Sequence, residues 1–573
     1  MLSPIWFIAI LIPAFLPFKK SIIYAKKRKY CINQFSFLNL FVLTCHSHAE
    51  IILGLKFIFR KHFLAIVLLA VVLITGLLTY KTYGTYWDEY LQRDMGKVSY
   101  NYVFHHDQAL KTFMDKDYGV LIELPLYAME VKLFANNFNA SIEARHLCCF
   151  LIFFVGLVFF YALLLKLKFS IEWATIGMAM LVLSPRIYGH SFFNSKDIPL
   201  MVFYIIAFYT LLLLIQKQNY SRAILHAFVT GLLINIRITG IIIIPFTIFF
   251  LMAFLASNSF NNKQAILWLN LIKILLVYLI LSTVFVYLFW PFLWENPFQN
   301  FITTFNNMSK FRWDGYTYLM GEHIRSIHSP WYYLPKWIAI TTPVFYLFAF
   351  SIGVLLFFND LIRKKVSFFL EEKTLNHWMV LSFLSGPIVI IIYLNSTLYD
   401  SWRHVYFVYP FLIISGLYGL SALSNYLKKY SWSIIFVAIL FTSFELIKMV
   451  QSHPYHYVYF NEIPEKKRNE IIQKNDVDFW GVSFKQGFEK ILQLDQRQKI
   501  KIYATSSPAY YNYLFLNQTI KNCRIEFVDD ERKADYYITN YRYDPNDHAE
   551  FKNKKLFSLE YANSEFITVF KVN

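Results

Sequence analysis

Residues 63–79 contain no charged side chain, and comparable apolar runs recur at 150–165, 198–215, 265–290 and 431–450. A helix needs about 20 residues, at ~1.5 Å each, to cross the ~30 Å hydrocarbon core of a bilayer. Within lipid the backbone must satisfy its own hydrogen bonds, which leaves only helices or closed barrels. Barrel strands alternate apolar and polar residues, and these runs do not, so they read as helices. Composition agrees. Hydrophobic residues make up 57% and charged residues 16%, the latter well below the roughly 25% of soluble domains. A soluble globular fold is excluded.

The net charge of +18 would suit a nucleic-acid binder, but its placement argues for membrane topology. Lys19–Lys20, Lys26–Lys29, Lys56/Arg60/Lys61, Lys166/Lys168, Lys217/Arg222, Lys263, Arg363–Lys365 and Lys428–Lys429 lie at alternate ends of the apolar runs. That is the positive-inside pattern, so no nucleic-acid partner is expected. Threading the chain on this rule gives about eleven transmembrane helices: 63–80, 147–165, 171–184, 198–215, two short ones within 223–257, 265–290, 333–358, 377–394, 404–426 and 431–450. Segments 81–146 and 291–332 become long external loops, and 185–197 and 395–403 short ones. The expected fold is thus an all-α polytopic membrane protein with a small C-terminal α/β soluble domain.

Three regions follow. Residues 1–55 form an N-terminal extension, whose apolar 1–18 lacks an A-x-A cleavage site before its basic run. Residues 56–450 form the membrane domain. Residues 451–573 are more polar, with β-type runs at Ile500–Ala504, Arg524–Val528, Tyr536–Asn540 and Phe566–Val572 and helical stretches at 484–494 and 508–516. The parity of the crossings places this last domain outside. It carries no glycine-rich phosphate loop and no catalytic triad motif. Cys31, Cys45, Cys148, Cys149 and Cys523 show no metal spacing and no disulfide framework.

Four external segments gather the polar chemistry. In Tyr86-Trp87-Asp88-Glu89-Tyr90 the paired carboxylates suit a general base or a divalent cation, while Asp88 also suits the N-cap of a following helix. In 184–199, Asp197 before Pro199 reads as another N-cap. Capping leaves Arg186, His190 and Lys196 unexplained, and their charges suit a phosphate near the headgroups. The segment 325–335 combines His328 with aromatic residues of an interfacial belt. In 399–410, Arg403 and His404 enter an apolar helix from the external side, either snorkelling or as functional intramembrane charge.

These segments, with Asp117-Tyr118-Gly119, Glu123-Leu124-Pro125, Pro330-Trp331-Tyr332-Tyr333-Leu334-Pro335 and the series Arg403, Tyr406, Pro410, resemble the GT-C membrane glycosyltransferases. The nearest similarity is to protein O-mannosyltransferases and the bacterial lipid A aminoarabinose transferase, over residues 56–450. Two departures stand out: Asp88-Glu89 is followed by Tyr90-Leu91-Gln92, and valine stands in the Arg403 motif where the family often has leucine-proline. The resemblance implies a polyprenyl-phosphate-linked sugar donor, an acceptor hydroxyl on a protein, lipid or glycan, and inverting single displacement on the external face, at the plasma (inner) membrane in a bacterium. It gives Asp88 the role of general base, Asp197 and Glu89 that of positioning the acceptor or holding the base, and Arg403, His404, Lys196 and Arg186 the donor phosphate. His190 and His328 are further candidates. A divalent cation is left open, because no ligand set is defined. The competing readings are a transporter or lipid flippase, for which Arg237 and Lys273 are the midplane candidates, and a non-catalytic assembly subunit.

Overall fold

The computed structural model describes residues 59–572, apart from 135–136, 259–263, 370, 462–464, 505, 520–523 and 543–548. The extension 1–55, Lys263, Cys31, Cys45 and Cys523 lie outside the described residues. Among those described, nine helices are long and apolar enough to cross a membrane, and Ile171–Val182 and Tyr220–Ile234 are shorter apolar helices. Together they fall on the eleven segments read from the sequence. Polar side chains fix several starts: Asn137, Ser170 and Asn219 each accept a backbone N–H of the first helical turn, as N-caps do.

Two helices form the centre. Asp197–Gln216 and Arg403–Tyr426 are 89% and 83% buried over their apolar windows, whereas Phe63–Thr82, Val344–Lys364 and Lys428–Ser452 are 22% buried. A helix that is apolar on all sides belongs in the interior, and these two have helices on every flank. Helix 344–364 packs on helix 409–426 through small residues four apart, Ala349/Gly353 against Ser415/Gly419. A Cβ on Gly353 would lie 2.0 Å from the Ser415 carbonyl oxygen. Close backbone approach of this kind is how membrane helices gain van der Waals contact without a hydrophobic driving force.

Several boundaries differ from expectation. The stretch 81–146 is no loop: it contains helices Glu89–His105 and Glu123–Leu133 and the first turns of Phe138–Lys166. The stretch 185–197 is also structured, as a helix Pro185–Phe193 with every residue buried. Its proline at the first helical position suits that start. The single helix expected over 333–358 is broken into Tyr333–Thr341 and Val344–Lys364. Pro343 forces Thr342 to an extended backbone, and the Asn461 amide donates to the freed carbonyls of Ala339 and Thr342 at 2.6 and 2.9 Å. Segment 291–332 holds helix Pro297–Ser309 and a hairpin, Tyr316–Leu319 with Glu322–Arg325.

The C-terminal region is a five-stranded sheet in the order 525–527, 500–504, 536–539, 564–571, 555–561. The first three strands are parallel and the last two pair antiparallel. Helices Phe484–Leu494 and Ser507–Thr519 belong to it. It is sewn to the segments 81–146 and 291–332. Asn512 accepts the Thr85 N–H and donates to the Thr85 and Gly481 carbonyls at 2.9–3.0 Å. Asp476 accepts the Tyr318 N–H at 2.8 Å.

The helix pair gives a first prediction. Gly353→Leu must displace the Ser415 backbone, and overpacking costs typically 1–3 kcal/mol. The variant is expected to lose several degrees of melting temperature in detergent, whereas Leu355→Ala on the exposed face is not. Equal melting of the two would refute the contact.

Candidate active site

Three apolar segments begin with a charged residue at the same end of the molecule: Asp197, Arg237 just before Ile238, and Arg403. A charge inside apolar surroundings is held only with a partner, and the partners here are one another. Arg403 is 1% exposed. Its Nη2 lies 3.2 Å from Asp400 and 3.8 Å from Asp88, and its Nη1 lies 3.5 Å from Asp197. The guanidinium is also flanked by the rings of Tyr399 and Trp480, at 4.9 and 4.8 Å. Asp197 is bound in turn by Arg237 at 2.8 Å and by the Asn194 amide at 3.0 Å. Asp400 accepts from Trp480 Nε1 at 3.2 Å and from Arg542 at 2.9 Å. Burial pushes the Tyr399 phenol well above its ordinary pKa, so it stays un-ionised beside Arg403.

Both capping readings are corrected by this geometry. Asp88 occupies the N-cap position of helix 89–105, but its side chain makes no capping bond; the Arg403 cation holds it instead. Asp197 is the first helical residue, and it is Asn194 whose Oδ1 accepts the Lys196 and Asp197 N–H groups. Among the three carboxylates around Arg403, Asp88 is 21% exposed, Asp400 7% and Asp197 1%. Asp88 is the most exposed of the three.

Glu89 faces the other way, into a second buried network. It contacts His146 Nε2 at 3.2 Å and Arg145 at 4.0 Å. Arg145 binds Glu123 at 2.5 Å, Ser195 donates to Glu123 at 2.6 Å, and the Ser195 and Tyr86 hydroxyls are 3.1 Å apart. Glu89 thereby anchors helix Glu89–His105, one residue from Asp88.

An apolar cavity of about 420 Å³ opens beside the first network. Pro245, Pro387, Ile390 and Ile391 from two membrane helices supply part of its wall. Asp117, Arg237, Tyr399 and His404 supply polar groups. The Lys196 ammonium lies 3.9 Å from the centre of the Tyr118 ring, which also lines the cavity.

The remaining expected residues are placed elsewhere. Arg186 is buried; its Nε donates to the Tyr459 carbonyl at 2.8 Å, between the rings of Trp337 and Phe460. It does not line the cavity. His190 sits in an aromatic enclosure of Phe193, Tyr406, Phe479 and Trp480. Burial, reinforced by the Arg186 charge, holds it well below the ordinary imidazole range, and so neutral. His328 is exposed at the end of the hairpin segment and is not brought to the other candidates. Among the described residues no group of three His, Cys, Asp or Glu side chains converges as a metal site would, since the three carboxylates turn to guanidinium groups. Asp400, Arg145, His146, Trp480 and Arg542 were not singled out in the sequence; Asp400 stood in a quoted segment, as did Glu123.

A family model described as dolichyl-phosphate-mannose-protein mannosyltransferase matches residues 124–295. That stretch is similar to the protein mannosyltransferases. It includes Lys196, Asp197 and Arg237 and stops short of Asp88 and Arg403, so it covers one side of the network. The match agrees with the resemblance drawn from the loop motifs. No curated protein matches the chain by sequence. Among solved structures the chain is similar to the archaeal oligosaccharyltransferase AglB from Archaeoglobus fulgidus, in complex with an inhibitory peptide and a dolichol-phosphate. The identity is 12% and the TM-score 0.43, over 82% of this chain and 64% of that one. A second structure of the Archaeoglobus fulgidus oligosaccharyltransferase, tethered to an acceptor peptide, gives 11% and 0.43, over 84% and 69%. The chain thus spans just under two thirds of the first structure's length.

Proposed function

We propose that the chain is an integral membrane glycosyltransferase that moves a sugar from a polyprenyl-phosphate-linked donor to an acceptor hydroxyl by single displacement. The observation that carries this reading is the meeting of a partly exposed carboxylate, Asp88, with buried cations beside a large apolar cavity. The acceptor hydroxyl attacks the anomeric carbon as Asp88 takes its proton. The bond from that carbon to the phosphate oxygen breaks on the opposite face, so configuration inverts, and polyprenyl phosphate leaves with the electron pair. A positioned base contributes about 10²–10⁴-fold.

The donor's isoprenoid chain is assigned to the cavity, and its phosphate to Arg237 and Lys196. Fixed cations stabilise the charge that develops on the leaving group. Arg403 is given a different task from the one the resemblance implied. Three carboxylates already surround it, so it orients Asp88 and Asp197 rather than meeting the phosphate. The acceptor, whether protein, lipid or glycan, approaches from the side on which Asp88 is exposed, the external face in the topology set by the basic loops. In a bacterium this is the outer side of the inner membrane.

The direct test supplies the purified chain with a panel of radiolabelled polyprenyl-phosphate sugars and candidate acceptors. Wild-type protein is expected to release label from at least one lipid, and Asp88→Asn to lower that turnover by about two to four orders of magnitude. Turnover of Asp88→Asn within a factor of about three of wild type defeats the assignment, that being far less than a lost base removes.

The donor site is tested separately. Arg237→Ala is expected to raise the donor KM about tenfold to a hundredfold, as loss of a charged hydrogen bond to phosphate does. Arg237→Lys, which keeps the charge without the fork, should fall between. An unchanged donor KM in both removes Arg237 from the phosphate.

Topology has its own measurement. A cysteine at exposed Gln498, between helix 484–494 and strand 500–504, is expected to react with a membrane-impermeant maleimide in intact cells. Labelling only after lysis puts Asp88 on the inner side and ends the external-face reading.

A further inference from the structure

The C-terminal domain reaches the proposed site with two side chains. Trp480 is 2% exposed; it lies over the Arg403 guanidinium at 4.8 Å and donates its indole N–H to Asp400 at 3.2 Å. Arg542, with a side chain 5% exposed, binds the other oxygen of Asp400 at 2.9 Å. It also donates to the Phe479 carbonyl and stacks over Trp87 at 4.2 Å. Trp87 in turn donates its backbone N–H to the Trp480 carbonyl at 3.0 Å and precedes Asp88. The domain therefore grips both Asp400 and the residue beside Asp88.

The charges have a definite arrangement. Arg403 faces Asp88, Asp197 and Asp400, with the un-ionised Tyr399 on one face. Asp197 is shared with Arg237, and Asp400 with Arg542. Each buried aspartate thus has a second arginine, whereas Asp88 has, among the described residues, only Arg403 as an ion-pair partner. If Arg542 did not divide the charge of Asp400, that carboxylate would compete for Arg403 with Asp88, which is already the longest of the three contacts at 3.8 Å.

We propose that Trp480 and Arg542 are positioning residues of the transferase site: by neutralising and orienting Asp400 they leave one edge of Arg403 to hold Asp88 toward the acceptor. The C-terminal domain is then an integral part of the catalytic unit, and not an accessory module. This rests on the glycosyltransferase reading for its consequence in turnover, but not for the geometry itself.

The test uses the full chain and two readouts. Arg542→Ala frees Asp400 to draw Arg403 away, so kcat is expected to fall about tenfold or more with donor KM within twofold of wild type. Adding Asp400→Asn removes the competing charge and should recover most of that loss, a coupling expected between groups of one ion network. The second readout is independent of turnover: modification of Asp88 by a water-soluble carbodiimide, followed by mass spectrometry. Arg542→Ala should raise Asp88 labelling several-fold, Asp400→Asn alone should lower it, and the double variant should return near wild type. A merely structural role would make the double variant worse than either single change. That result, or Asp88 labelling unchanged within twofold across all three variants, overturns the proposal. If every donor is inert with wild-type protein the transferase reading fails, and the labelling pattern still decides the geometry. Should Arg542→Ala not fold, the opposite labelling shift in Asp400→Asn decides it.

Discussion

A buried guanidinium needs partners for its charge, and one end of this molecule is organised by that requirement at Arg403. Its three carboxylates come from three places far apart in the chain: Asp88 before helix Glu89–His105, Asp197 at the head of one central membrane helix, and Asp400 beside the other. Removing one member of such a cluster leaves another buried charge unpaired, which is far costlier than the cluster's net worth. The cluster therefore fixes position more than it adds stability. It brings loop, bundle and C-terminal domain to one point, with one of the three carboxylates, Asp88, left partly exposed.

The membrane frame was readable because its physics is one-dimensional. Length, apolarity and basic flanks locate each helix, and all eleven segments reappear. Asp88, Asp197 and Arg403 were legible as charges close to apolar helices, where chance does not readily place them. Their partnership was not legible, since nothing local in 88, 197 and 403 says that they meet. Arg237 drew notice as a midplane oddity suited to a transporter; its ion pair with Asp197 gives that charge a partner at the site.

Other misses have equally specific causes. Trp480 and Arg542 belong to a polar domain, in which a tryptophan and an arginine are unremarkable until a fold sets them against a membrane helix. The helices inside 81–146 bury Glu89, Glu123, Glu130 and Arg145 in ion networks that hydrophobic periodicity does not register. The strand 555–561 lacks a glycine turn signal, since Ala562 and Asn563 take the positive-φ turn before 564–571. The capping readings failed because a better electrostatic partner was available in three dimensions than the nearest backbone N–H.

The sewing of the C-terminal domain to segment 81–146 sets the order in which these contacts can form. Thr85 waits for Asn512, 427 residues later, and Asp400 waits for Arg542, 142 residues later. At about 5–20 residues per second, a ribosome needs roughly 20 to 90 seconds to span the first interval. During that time the membrane helices are inserted while the carboxylates of the first loop lack their final neighbours. The cluster around Arg403 is consequently completed only after residue 542 has been made. A product stalled before that residue carries the helices of the bundle and lacks the second arginine of Asp400.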